Sequence, residues 1–257
     1  MSGGFSVSSP LARRAVASPN FGARRGDARV DMLVLHYTGC PSAESALLWM
    51  CSPDSQVSAH YLVDEDGEIV QLVDEAARAW HAGAAFWAGE TDVNSRSIGI
   101  EIQNAGHADG PPPPYPEAQM EAVVALCRDI AARHGISPRR VVGHSDVAPE
   151  RKADPGEHFP WRRLADAGAA FWVEPAPPAA TGPVLRRGDA GGDVSALQAG
   201  LARVGYGIRE TGVFDGATEA VVRAFQRRFR PLKVNGVADA STMMTLERVL
   251  MALDKVA

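Results

Sequence analysis

The segment "HSDVAPERKADPG", His144 to Gly156, gathers one histidine, two aspartates and a lysine around two prolines that would interrupt any helix. Imidazole and carboxylate groups are ordinary zinc ligands, and they are also common proton carriers in catalysis. A lysine beside them could stabilise negative charge on a carbonyl oxygen. His144 closes a short apolar run, "RRVVGH", and His36 lies near the end of another, "DMLVLHYT". Histidines at strand ends face the edge of a sheet, where open sheets place their sites. With one carboxylate they would make the three-ligand set of a catalytic zinc, its fourth position open. Spacing alone leaves a second reading open, in which each histidine is buried and satisfied by a backbone carbonyl. It also leaves two carboxylates in competition: Asp154, ten residues after His144, and Asp146, two residues after it. Asp146 is better suited to accept backbone N–H bonds and hold a turn, as aspartates in loops do.

The elements that carry these side chains follow from periodicity. "DMLVLHYT" and "RSIGIEIQN" are short runs rich in Val, Ile and Leu, consistent with buried strands, and "SAHYLVDEDGEIVQLV" reads as a hairpin turning at Asp66 and Gly67. Glu101 alternates with Ile100 and Ile102, so its carboxylate faces away from them. "PEAQMEAVVALCRDIAARHG" starts at a proline, repeats apolar residues at Met120, Val123, Val124, Cys127 and Ile130, and ends at Gly135. That is the pattern of an amphipathic helix with a glycine cap. "GPPPPYP", Gly110 to Pro116, is a surface loop. Together these predict an α/β fold, a mixed central sheet flanked by helices. "VEPAPPAATGP", Val173 to Pro183, has the composition of an extended linker. Beyond it, three helical patterns follow Asp193, Asp215 and Asp239, each suited to helix capping. The expected organisation is a large domain over residues 1–172, a Pro/Ala-rich linker over 173–183 and a small three-helix domain over 184–257.

Composition narrows the function classes. At 257 residues the chain suits two domains, taking about 150 residues as an ordinary domain. A net charge of −5 argues against nucleic acid as a partner, because a phosphate-binding face needs clustered positive charge. The three cysteines, Cys40, Cys51 and Cys127, have no CxxC spacing and are expected to be reduced and mostly buried. No apolar run has the length of a signal peptide or membrane helix, so a cytoplasmic protein is expected, with the periplasm or cell wall as the alternative. No heptad or apolar stripe identifies an oligomeric interface, which leaves the oligomeric state open.

Taken in order, "VLHYT", "SAHYLVDEDGEIVQLV", "AWHAG", "SIGIEIQN" and "VGHSDVAPERKADPG" resemble the zinc-dependent N-acetylmuramoyl-L-alanine amidases. That family includes bacterial anhydromuropeptide amidases and is related to phage lysozyme-type amidases and peptidoglycan recognition proteins. The resemblance covers roughly Met32 to Trp172. "GGDVSALQAGLARVGY" followed by "TGVFDGATEAVVRAFQRRF" is similar to the small three-helix peptidoglycan-binding domain. The resemblance implies that Zn2+ is held by His36, His144 and Asp154, that Glu101 is the catalytic acid, and that Lys152 stabilises the carbonyl oxygen. It sets the "AWHAG" segment beside the substrate, with Trp80, His81, Tyr37 and Asn104 as expected contacts and Trp87 as a further aromatic that could equally be core. The implied reaction is hydrolysis of the amide between the lactyl group of N-acetylmuramic or anhydromuramic acid and L-alanine. Peptidoglycan or anhydromuropeptides are then the expected partners.

Two rivals share parts of this pattern. A non-catalytic peptidoglycan-recognition module would typically have lost a zinc ligand, whereas His36, His144 and Asp154 are all present beside Glu101 and Lys152. A zinc peptidase cutting within the stem peptide shares the metal logic and differs in product masses. The other histidines have plainer roles: His134 ends a helix beside Gly135, His60 packs or supports, His158 lies at the surface, and His107 carries no signal. "RAFQRRFRPLK", Arg223 to Lys233, is the basic cluster and is expected to be a solvated helix face, with stem-peptide carboxylates as an alternative partner.

Overall fold

The computed structural model describes residues 7–178 and 181–255, so Ala179 and Ala180 of the expected linker and the extreme ends of the chain lie outside the described residues. Two compact units are present. The first comprises Met1–Ala84, Asp92–His144 and Asp154–Phe171, and the second comprises Ala85–Thr91, Ser145–Ala153 and Trp172–Ala257.

In the first unit, edge strands β1 (Arg14–Ala15) and β2 (Phe21–Ala23) precede the central strand β3 (Met32–Tyr37), which leads into helix α1 (Ala43–Met50). Strands β4 (Tyr61–Val63), β5 (Ile69–Gln71) and β6 (Ala77–Ala79) follow, then the single turn α2 (Val93–Arg96) and strand β7 (Ser97–Ile102). The long helix α3 (Glu117–His134) and strand β8 (Val141–Gly143) come next; α4 (His144–Val147) begins at the last residue of one segment of this unit and continues in the second, and the short helix α5 (Trp161–Asp166) completes the series. Six strands make one mixed sheet in the order β1-β5-β4-β7-β3-β8, and β2 pairs with β6 alone. This is the α/β architecture expected, with the antiparallel hairpin β4–β5 toward one edge and the parallel trio β7, β3 and β8 running to the other.

Strand β3 reads MLVLHY and is buried from Met32 through His36. A strand with no polar face requires cover on both sides, as parallel strands of α/β sheets have. Leu33, Val34 and Leu35 are fully buried, each contributing about 1.5–3 kcal/mol over the exposed state. Helix α3 packs by β4 and buries Met120, Val123, Leu126, Cys127 and Ile130; Val124, expected inside, is half-buried, and Leu126 takes a core place instead. The helix stops at Gly135, whose φ of 68° is the left-handed conformation that favours glycine. Gly67 in the hairpin turn has φ of 86°, and a Cβ there would come within 2.8 Å of the Ala118 carbonyl oxygen on α3. Both conformation and close approach therefore demand glycine.

The second unit contains α6 (Gly192–Val204), α7 (Gly216–Phe229) and α8 (Ala240–Asp254). Asp215 and Asp239 cap α7 and α8 as expected, accepting the N–H groups of Thr218 at 2.8 Å and Thr242 at 3.0 Å. Asp193 does not cap α6. The cap is Gly191, and Asp193 is the second residue of the helix, within its first turn, where its charge still suits the positive end of the helix dipole. Within the expected linker, Ala176 is buried and its N–H donates to Thr245 Oγ1.

The basic cluster is not the solvated face expected. Arg228 and Arg230 are buried, Arg228 Nη1 donating to Asp146 Oδ2 at 2.9 Å and Arg230 Nη2 to Asp239 Oδ2 at 2.7 Å, while Arg223 pairs with Glu219. A linear charge run cannot show which arginines meet a buried carboxylate from elsewhere in the chain. Trp87 is likewise core: it is buried, lies edge-on to Tyr206 at 5.1 Å, and would be met at 2.8 Å by any Cβ on Gly205. The three cysteines are free, as expected, but only Cys127 is fully buried. Among the described residues, no helix is long and apolar enough to cross a membrane.

Candidate active site

Three adjacent parallel strands set the site. In register, His36 of β3 stands opposite Glu101 of β7, and Leu35 stands opposite Gly143 of β8, so His144 comes one step further at the level of His36. The three residues lie at the carboxyl ends of adjacent strands, where open α/β sheets bind ligands. Ile100 and Ile102 are fully buried, and Glu101 between them is the one half-buried residue of β7. That is the alternation expected from "IGIEIQ".

His36 Nδ1 lies 2.9 Å from His144 Nδ1, and each lies 3.0 Å from Asp154 Oδ2. The residues are 1%, 3% and 5% exposed. Two imidazole nitrogens and a carboxylate oxygen thus converge on one point, a group able to hold a metal ion. The donor set fits zinc: neutral nitrogen and anionic oxygen ligands, three in number. Burial opposes the charge on Asp154, but His144 and then His36 hold its carboxyl well below the usual carboxylate range. Gly143 lets the Asp154 segment lie close, since a Cβ there would come within 2.7 Å of Pro155 Cδ and 3.3 Å of Trp161 Cζ2. Tyr115 Oη donates to the Pro155 carbonyl at 2.7 Å and pins the same turn.

The far side of each of these two imidazole rings is also engaged. His144 Nε2 lies 3.1 Å from the Ala82 carbonyl oxygen, and His36 Nε2 lies 3.1 Å from His81 Nδ1. A ligand histidine held through its other nitrogen has both ring orientation and tautomer fixed. His81 is 8% exposed, and its Nε2 lies 3.2 Å from Ser97 Oγ, so both nitrogens are used inside the protein rather than on the substrate as expected. Burial first, and then the charges of His36, His60, His144 and Arg24, hold its imidazole well below the usual range. Asn104 also differs from expectation. It is buried, donates from Nδ2 to the Pro113 carbonyl and accepts the Gly106 N–H, so it shapes the loop after β7.

Tyr37 and Trp80 are half-buried. Tyr37 Oη lies 2.9 Å from His107 Nδ1, and His107 Nε2 lies 3.0 Å from Glu157 Oε2, a bridge that the glycine-containing sequence around His107 gives no sign of. His60 packs in the core as expected, its Nδ1 accepting the Gly99 N–H. His134 does end α3, and its Nε2 also reaches Glu75 Oε2 at 2.6 Å. His158 is exposed, as expected. Lys152 is exposed on the segment Ser145–Ala153 of the second unit, its N–H donating to the Ala148 carbonyl.

The chain is similar to known proteins. Residues 26–157 match the family model described as N-acetylmuramoyl-L-alanine amidase, and residues 190–246 match one described as a peptidoglycan binding domain. The chain is 39% identical over 240 residues to N-acetylmuramoyl-L-alanine amidase AmiD of Escherichia coli strain K12, covering 86% of this chain and 83% of the relative. It is 35% identical over 168 residues to 1,6-anhydro-N-acetylmuramyl-L-alanine amidase AmpD of Enterobacter cloacae, covering 59% and 87%. Among solved structures, AmiD from E. coli in complex with anhydro-N-acetylmuramic acid-L-Ala-D-gamma-Glu-L-Lys superposes with a TM-score of 0.74 at 36% identity, covering 90% of this chain and 92% of that one. AmpDh3 from Pseudomonas aeruginosa in complex with an anhydromuramic pentapeptide gives 0.68 at 30% identity, covering 90% and 93%.

Proposed function

The chain belongs to the N-acetylmuramoyl-L-alanine amidase family, and from that premise we propose how its own residues hydrolyse the amide between N-acetylmuramic or anhydro-N-acetylmuramic acid and L-alanine. The observation that carries the reading is the convergence of His36 Nδ1, His144 Nδ1 and Asp154 Oδ2 beside the strand that bears Glu101. These three residues hold zinc, which when bound lowers the pKa of water from about 15.7 to about 7 and polarises a carbonyl. Glu101, in register with His36, takes the proton of the attacking water and delivers it to the leaving nitrogen. The C–O bond forms as the C–N bond breaks, giving a lactyl carboxylate and a peptide with a free L-alanyl amine. Lys152 supplies positive charge to the carbonyl oxygen, where one donor is typically worth about 3–4 kcal/mol.

The anhydromuramic peptides named in the AmiD and AmpDh3 complexes support anhydromuropeptides as the substrate class. Half-buried Tyr37 and Trp80 are the substrate contacts we retain. The helical region beyond residue 184, which includes the match to a peptidoglycan binding domain, holds the enzyme on cell-wall material. The test is a muropeptide digest analysed by mass spectrometry. Native protein should release free stem peptide and intact sugar, while Glu101→Ala should release neither and still bind one zinc. Full activity in Glu101→Ala removes Glu101 from the mechanism, and a shortened peptide left on the sugar would make the enzyme a peptidase.

A further inference from the structure

Proton positions behind His36 follow from which atoms can only accept. The Val93 carbonyl oxygen has no proton, so Ser97 Oγ, 2.6 Å away, directs its single hydrogen there. Ser97 Oγ then faces His81 Nε2 at 3.2 Å as an acceptor, which makes Nε2 the protonated nitrogen of His81. In a neutral imidazole the other nitrogen accepts, and His81 Nδ1 lies 3.1 Å from His36 Nε2. His36 Nε2 therefore donates, and its ring keeps its lone pair on Nδ1, the atom that faces His144 and Asp154.

A second observation concerns the room made for this ring. Gly99, in the buried strand β7, has an ordinary φ, yet a Cβ there would come within 2.5 Å of His81 Cγ and 2.6 Å of Cδ2. Glycine inside a strand is destabilising relative to alanine, and here the side chain it omits is the one that would expel His81. The backbone is held as firmly as the ring. Buried Asn94 accepts through Oδ1 from the N–H groups of both His81 at 3.1 Å and Ala82 at 2.8 Å. His81 backs His36 with its ring, and Ala82 backs His144 with its carbonyl, so two consecutive residues support both histidines.

We propose that His81 is a positioning residue that fixes His36 in the tautomer able to bind metal, with Ser97 setting its proton and Gly99 making its space. The proposal rests on His36 being a zinc ligand. Zinc affinity of the full chain, measured by competition with a chromogenic chelator, is the principal readout. His81→Leu fills the space without an acceptor and should weaken zinc about 10–100-fold, the usual effect of losing a ligand's supporting partner. His81→Asn, whose side-chain carbonyl can take the place of Nδ1, should recover most of that loss; a packing role would leave the two variants alike. Gly99→Ala should weaken zinc in the same direction by displacing the ring. In the native zinc-loaded protein, 15N NMR should show protonated Nε2 on both His36 and His81. A protonated His81 Nδ1, which needs no variant to detect, overturns the proposal. So does a folded His81→Leu that binds zinc within about twofold of native. If instead His36→Ala binds zinc like the native chain, the ligand assignment beneath the proposal is what fails.

Discussion

Asp146 and Asp154 stand eight residues apart on one segment, and both are buried. Asp154, in the first unit, meets two imidazole nitrogens that aim their lone pairs at the point its own oxygen faces. Asp146, in the second unit, accepts from the Tyr206 hydroxyl at 2.7 Å and the Arg228 guanidinium at 2.9 Å. The contrast lies in what completes the charge. Arg228 neutralises Asp146 within the chain, whereas His36, His144 and Asp154 bring three electron-pair donors together in a group able to hold a cation. Residue type and burial are nearly the same, although Asp146 lies on α4 and Asp154 in the turn beyond it, so the partners are what set the two carboxylates apart.

The largest effect should come from removing the ligand. Asp154→Asn should weaken zinc binding by more than about 100-fold, beyond the range seen for lost supporting partners, and abolish muropeptide cleavage while the circular dichroism spectrum stays native. Asp146→Asn should keep one zinc per chain, and the opposite pair of results would break the comparison. Its own effect is on stability. Leaving Arg228 buried without its partner should cost about 3–5 kcal/mol in urea unfolding. Replacing both members with apolar residues, Asp146→Leu with Arg228→Met, should restore much of that loss. Tyr206→Phe removes one neutral donor from Asp146 and should cost about 1 kcal/mol, with no change in zinc stoichiometry.

The smallest effect near neutral pH extends the comparison to a third buried carboxylate. Burial opposes the charge on Glu75, but Arg133, His134 and Tyr61 together lower its pKa from 4.5 to about 2. Because the folded value lies below the unfolded one, its contribution is present above pH 4.5 and is lost as pH falls toward about 2. Urea midpoints measured across that range should fall with acidification, and Glu75→Gln should flatten the dependence. An unchanged slope would show that Glu75, unlike Asp146, does not stabilise the fold through its charge.

Much of the molecule was legible before folding. The apolar runs around His36, Glu101 and His144 marked the strands, and the alternation in "IGIEIQ" set Glu101 against its buried neighbours. Asp215 and Asp239 marked the starts of two helices. The illegible part was of one kind. His81, Asn104, Trp87, Arg228 and Arg230 looked like surface or substrate-facing groups, and each is turned inward by a partner distant in the chain or in a neighbouring loop. The glycine-containing segment "NAGHADG" likewise gave no reason to join His107 to Tyr37 and Glu157.

The sequence by itself determined the strands around His36, Glu101 and His144, the hairpin at Gly67, the long helix before Gly135, the three C-terminal helices, the family, and the residues able to bind metal, because these depend on local periodicity and on side-chain chemistry. Only the tertiary structure decided which nitrogen of each histidine faces the other and Asp154, which aspartate meets an arginine and which meets two imidazoles, and why Gly99 and Gly143 carry no side chain. Those outcomes depend on distances of about 3 Å between atoms far apart in sequence, and parallel pairing of β7, β3 and β8 is what brings them together.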